Sequence, residues 1–174
     1  HRHGDCTVVA KPDGEAPLIA ARAGGGWNEA VVPANALHLL AGDGEVGAAL
    51  VADERVQGVM FTGSSNVAKA ISRILHGRLG PNGQPVPFIA ETGGQNAMIV
   101  DSSALAEQAV TDILTSAFDS AGQRCSALRV LLVQEDCADH VLDMLCGAMR
   151  ELRLGNPAKL ETDIGPVISA EARA

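Results

Sequence analysis

Tyrosine is absent from this chain. Three phenylalanines and one tryptophan leave an aromatic share of only 2% in 174 residues, too few rings for a platform that stacks nucleic-acid bases. Lysine is scarce, Lys11 being one of very few, the formal net charge is −8 and no basic stripe is visible. A nucleic acid or an anionic membrane surface is therefore not expected as a partner of this segment. No apolar run approaches the roughly 18 residues needed to span a bilayer, and the opening HRHGD lacks the apolar core of a signal peptide. The four cysteines, Cys6, Cys125, Cys137 and Cys146, form no CxxC pair and no disulfide framework, which fits a reducing, cytoplasmic setting. The five histidines have no ligand spacing, so no metal site is expected. The first residue is not Met and the closing SAEARA reads as a helix cut short. The chain is expected to be a piece of a longer polypeptide.

What is present suffices for a folded core. Hydrophobic residues make up 47%, and the length allows one domain or parts of two. Strand-like runs at 6–10, 36–40, 56–61, 86–90, 97–100 and 129–134 alternate with helical patterns at 15–30, 44–53, 66–76, 104–118 and 136–152. That alternation predicts an α/β fold with a mostly parallel sheet. Lys11-Pro12 should end the first strand. The helix over 15–30 is expected to fray at Gly24-Gly25-Gly26, because each glycine costs about 0.8–1 kcal/mol against alanine, with Trp27 pinning the chain after the break. Val67, Ala70, Ile71 and Leu75 are expected on one face of the next long helix. Ser103 is expected to cap 104–118, with Glu107 suiting its dipole. Val141, Leu142, Leu145, Met149 and Leu152 repeat at helical spacing. Cys6, Cys137 and Cys146 sit in apolar patterns and read as core, and the residues after 152 as loop.

Two stretches carry chemistry. In FDSAGQRCSALRVL, residues 118–131, Cys125 lies on a helix-to-strand turn where Gly122 allows close backbone approach. In IAETGGQN, residues 89–96, Glu91 ends an apolar run 34 positions before Cys125. A thiol nucleophile and a carboxylate base on two turns form a plausible catalytic pair. Equally, a cysteine can be a small core hydrophobe and a glutamate merely solvated. Arg124 either lowers the thiol pKa or pairs with a carboxylate at the surface. Asn96, polar at a strand start, reads as a backbone hydrogen-bonder rather than a catalyst. Gly42-Asp43-Gly44-Glu45-Val46-Gly47 matches GxGxxG. It reads either as a phosphate-binding turn at a helix N-terminus or as a tight turn whose glycines serve packing. Asp43 and Glu45 would repel a pyrophosphate.

ETGGQNAMIVDSSA followed by FDSAGQRCSALRVL resembles the aldehyde dehydrogenase superfamily, in particular the L-glutamate γ-semialdehyde (Δ1-pyrroline-5-carboxylate) dehydrogenase branch of the bifunctional proline utilisation proteins. The resemblance runs from about residue 8 to residue 174. It implies part of a Rossmann-type NAD-binding domain over 1–93, followed by the start of an α/β catalytic domain over 94–174. It implies NAD-dependent oxidation of L-glutamate γ-semialdehyde to L-glutamate in proline catabolism, with Cys125 as nucleophile and Glu91 as general base. For NAD it implies Lys11 at the adenosine ribose, the turn of Thr62, Gly63 and Ser64 at the pyrophosphate, and Gly44, Thr92 and Gly93 beside the cofactor. Ser126 is implied at the substrate α-carboxylate, or is simply a small residue in a tight turn. The family's glycine turn carries one more residue than 42–47 does, and its glutamate three residues beyond the lysine is here Gly14, with Glu15 adjacent.

The resemblance also places an oxyanion-hole asparagine before His1, and nicotinamide-ribose and substrate-carboxylate elements after Ala174. The isolated chain is accordingly expected to be nearly inactive. The resemblance leaves open a proline dehydrogenase module fused in the parent, and an oligomeric parent. Three other readings stay open: a non-catalytic α/β fragment, an aldehyde dehydrogenase for another aldehyde, and a thiol hydrolase. The last would want a histidine base near Cys125, where only the distant His76 and His140 are available.

Overall fold

The structure, a computed structural model, describes residues 7–30, 32–33 and 35–173. The chain divides into two compact units, His1–Thr62 with Asn66–Ala90, and Gly63–Ser65 with Glu91–Ala174.

In the first unit β1 (Val8–Ala10) pairs in parallel with β2 (Leu37–Leu39), Val9 opposite His38. Between them runs α1 (Pro17–Ala30), opened by a proline that fits a first helical turn. The helix continues through Gly24, Gly25 and Gly26 instead of fraying. Gly24 and Gly25, with Ala21, line a small hollow whose other wall is Leu37 and Leu39 of β2. Docking on the strand pair outweighs a propensity deficit on the order of 2–3 kcal/mol. Trp27 does not pin the chain with its ring, which is 60% exposed; its carbonyl instead accepts the N–H of Val32 at 3.1 Å. Cys6 lies outside the described residues.

The helix α2 (Gly44–Ala52) is followed by β3 (Val59–Gly63), α3 (Ser65–His76) and β4 (Phe88–Thr92), with β3 and β4 hydrogen-bonded neighbours. Thr62 and Gly63 thus close the strand rather than forming the turn after it. The buried face of α3 is Ala68, Ile71 and Leu75, one step round from the expected Val67 and Ala70; Val67 is 47% exposed. Ile71 and Leu75 pack with Val51 and Val86 as the core of this unit. Arg78 closes it, its guanidinium donating to the carbonyls of Val51, Asp53 and Val56. These carbonyls lie at the end of α2 and just beyond it, where helix acceptors run out of backbone partners.

In the second unit β5 (Asn96–Val100) pairs in parallel with β6 (Leu128–Val133), and α4 (Ala106–Phe118) and α5 (Glu135–Glu151) pack on them. Parallel strands need such crossovers. Val100, Val110, Ile113, Leu128, Val141 and Leu145 form the core. Leu142 and Met149 stay over 40% exposed, so the buried stripe of α5 is narrower than its apolar repeat. Ser103 does not cap α4: its hydroxyl donates to Asp101 Oδ1 at 2.6 Å, and the helix starts two residues later than expected, after Leu105. Cys137 is half-buried against the core. Cys146 is exposed, on the solvent side of α5, and is not core. Beyond α5 the chain is mostly loop, with one bridge between Leu154 and Ile164, before α6 (Ala170–Arg173). No helix among the described residues is long and apolar enough to cross a membrane.

Candidate active site

The turn that carries Cys125 is built from both ends. It begins in a 3₁₀ turn, Asp119–Gly122, in which Ser120 (φ 56°), Ala121 (φ 54°) and Gly122 (φ 68°) are consecutively left-handed. That conformation costs a non-glycine residue roughly 1–2 kcal/mol. Gly122 admits no side chain, since a Cβ there would stand 2.8 Å from the Ala117 carbonyl oxygen. Arg129 Nη2 donates to the Gly122 carbonyl and holds this strained entry. Arg129 is also the extra residue in β6, because Asn96 faces Leu128 while Ala97 faces Val130. Such a bulge frees one residue from the ladder and re-aims its side chain.

Residues 124–127 then form a β-turn closed by Ala127 N–H on the Arg124 carbonyl at 3.1 Å. Ala127 is 1% exposed and seats the turn, whereas Cys125 and Ser126, its two central residues, are exposed. Asn96 fastens it to β5: Nδ2 donates to the Cys125 carbonyl at 2.7 Å and to the Ala127 carbonyl at 3.0 Å. Asn96 is thus the backbone hydrogen-bonder its sequence position indicated. Arg124 pairs with Asp119 at 3.6 Å on the surface. Gln123 accepts the Ile168 N–H at 2.8 Å, so the tail also touches the turn.

Glu91 is exposed near the end of β4, and Thr92 and Gly93 come directly after it. Asn96 lies five residues beyond Glu91, a span of at most about 18 Å, and Asn96 touches the Cys125 carbonyl. Glu91 and Cys125, 34 positions apart in sequence, belong to the same compact unit. Behind the turn lies an apolar cavity of about 600 Å³ between α4, β6 and α5, lined by Ile113, Phe118, Leu131 and Leu145 among others, but not by Cys125.

Two helix starts are candidates for a phosphate, and they differ. At α2 the Asp43 carboxylate already accepts from the N–H groups of Glu45 (3.0 Å) and Val46 (3.3 Å), and Glu45 adds a second negative charge. Gly42 and Gly47 are explained by packing: a Cβ on Gly42 would strike Val46 at 2.6 Å, and one on Gly47 would press on the Lys11 stem at 3.3 Å. Gly44 faces open space. The start of α3 carries no acidic residue in its first turn, and Thr62, Gly63 and Ser64 just before it are exposed. Anion binding favours this end. Lys11 is half-buried and donates from Nζ to the carbonyls of Pro12 (2.7 Å) and Gly42 (2.8 Å).

Residues 4–174 match the sequence model of the aldehyde dehydrogenase family. The chain belongs to that family. Among its relatives, the bifunctional protein PutA of Klebsiella aerogenes is 64% identical over 168 residues, which is 96% of this chain and 13% of that protein. The chain therefore spans about an eighth of this relative's length. Among solved structures, a variant of proline utilization A (PutA) from Bradyrhizobium japonicum superposes with a TM-score of 0.86 at 54% identity, covering 95% of this chain and 17% of that one. A 1-pyrroline-5-carboxylate dehydrogenase from Thermus with bound NAD gives a TM-score of 0.83 at 36% identity, covering 95% of this chain and 32% of that one. The fold is the α/β fold of this family.

The clamp formed by Arg129 is not among the features the sequence pattern revealed. The available signal was a lone charge inside the apolar strand LRVLLV, since such a charge must find acceptors.

Proposed function

We propose that this chain is part of an NAD-dependent aldehyde dehydrogenase that oxidises L-glutamate γ-semialdehyde to L-glutamate in proline catabolism. The observation that carries the reading is the exposed Cys125 at the crest of a clamped turn, fastened to a strand that begins five residues after Glu91. The Cys125 thiolate attacks the aldehyde carbon, an S–C bond forms, and the former carbonyl oxygen is received by the Cys125 N–H. Bound NAD supplies the acceptor for the hydride that leaves this carbon. A thioester on Cys125 remains. Glu91 takes a proton from water, the water oxygen adds to the thioester carbon, the C–S bond breaks, and glutamate departs as the thiolate is restored. Ser126, exposed beside the nucleophile, receives the substrate α-carboxylate.

For the cofactor we assign the pyrophosphate to Thr62, Gly63 and Ser64, because the first turn of α3 carries no acidic residue whereas α2 starts with Asp43 and Glu45. Lys11 serves the adenosine ribose, Gly44 offers close approach without a side chain, and Thr92 and Gly93 border the nicotinamide. We assign residues 1–93 to the NAD-binding domain and 94–174 to the beginning of the catalytic domain. The parent is a cytoplasmic protein, fused to a proline dehydrogenase module and oligomeric.

The test is turnover of the semialdehyde with NAD by the full-length parent and its Cys125→Ser variant, beside the isolated piece. The reading requires turnover in the parent and its loss in the variant. A parent that prefers another aldehyde, or a variant that keeps its rate, would overturn it.

A further inference from the structure

We propose that Asn96 is a positioning residue that sets the orientation of the Cys125 turn, an inference that rests on the nucleophilic role proposed for Cys125. One side-chain amide reaches two carbonyls of the same β-turn, those of Cys125 (2.7 Å) and Ala127 (3.0 Å). It thereby fixes the planes of the 125–126 and 127–128 peptides, which bracket Ser126 and Ala127. An amide nitrogen carries two donor hydrogens, and both are used. Within the turn itself, closure comes from the Ala127 N–H on the Arg124 carbonyl.

The position in the ladder explains why this residue is asparagine. Asn96 faces Leu128, and the register slips between Asn96 and Ala97. At this point the backbone ladder between β5 and β6 is interrupted, and carbonyls on the β6 side need a donor from elsewhere. Asn96 supplies it from a half-buried site. The stem is short enough that a shift of β5 is passed directly to the peptide of Cys125. Nucleophile geometry matters steeply in rate, since misplacement by about 1 Å can cost on the order of a hundredfold.

The experiment uses the full-length parent with Asn96→Ala and Asn96→Ser, the latter keeping one short O–H donor. The readouts are kcat, the KM for NAD, thermal stability, and the rate of Cys125 alkylation by iodoacetamide relative to exposed Cys146. The proposal expects Asn96→Ala to lower kcat at least about tenfold with the KM for NAD within about twofold, to change the alkylation ratio, and to be partly rescued in Asn96→Ser. Unchanged kcat and alkylation ratio in both variants would overturn it. So would losses in kcat that simply track losses in folded protein and in NAD affinity. Turnover retained in Cys125→Ser would remove the nucleophile assignment, while the alkylation ratio would still report whether Asn96 holds the turn.

Discussion

Lys11 Nζ and the Gly42 carbonyl oxygen stand 2.8 Å apart across 31 positions of the chain, joining the end of β1 to the turn before α2. Replacing Lys11 by Met keeps most of the stem against Gly47 and removes the donor. The expected outcome is a loss of about 1–2 kcal/mol in stability and a raised KM for the dinucleotide in the parent. Chemical denaturation and initial-rate kinetics check the two separately. An unchanged KM would remove Lys11 from the cofactor site.

Arg78 serves three carbonyls at once, those of Val51, Asp53 and Val56. Arg78→Met should destabilise the protein by about 3 kcal/mol, because it leaves half-buried acceptors without a donor. Equilibrium unfolding of the parent measures this. Arg78→Lys should recover only part, since an ammonium cannot reproduce the fork of a guanidinium.

The Asp53 carboxyl is held well below the usual carboxylate range, chiefly by hydrogen bonds from the Arg55 side chain and then from its backbone N–H. Asp101 is lowered in the same direction by the Ser103 hydroxyl and its backbone N–H. The unfolded carboxyl titrates near about 4. Whatever stability Asp53 contributes is therefore complete above that pH and lost as pH falls towards its folded value. Melting curves of parent and Asp53→Asn should show a gap that is constant between about pH 7 and 5 and narrows below about 4. A gap that widened in acid would contradict the assignment.

Glu91→Gln should separate the two halves of the reaction. In the proposed mechanism hydride transfer needs no base at Glu91, whereas thioester hydrolysis does. Rapid mixing should show a burst of NADH near one equivalent per site, about 1, succeeded by turnover slowed by about 10²–10⁴. Loss of the burst itself would assign Glu91 to an earlier step.

Gly122→Ala meets two obstacles, φ of 68° and the Ala117 carbonyl oxygen at 2.8 Å from the new methyl. It should cost more than about 1 kcal/mol in stability and lower the activity of the parent further than that loss explains. Thermal denaturation beside specific activity tests both.

The alternation of strands and helices was legible because periodicity survives in short runs. Where single residues decide, it was less so. Val67 and Ala68 are adjacent on α3, and hydrophobicity alone favours the larger, yet the packing of α3 selects Ala68. The glycine triplet reads as a break until the strands under α1 are known. At the candidate site, the proposed roles of Cys125 and Glu91 rest on their motifs. The supports were visible only in part: Asn96 announced a hydrogen-bonding role but not its acceptors 29 and 31 positions away, and Arg129 depends on a bulge that spacing does not encode.

The bond from Ile168 to Gln123 has a practical meaning for anyone dividing the parent polypeptide. The stretch from Leu152 to Ile168 looks dispensable as irregular chain, yet it doubles back to brace the crest that bears the thiol. A reassembling split enzyme should therefore be severed downstream of Ile168, so that the brace travels with the half it supports.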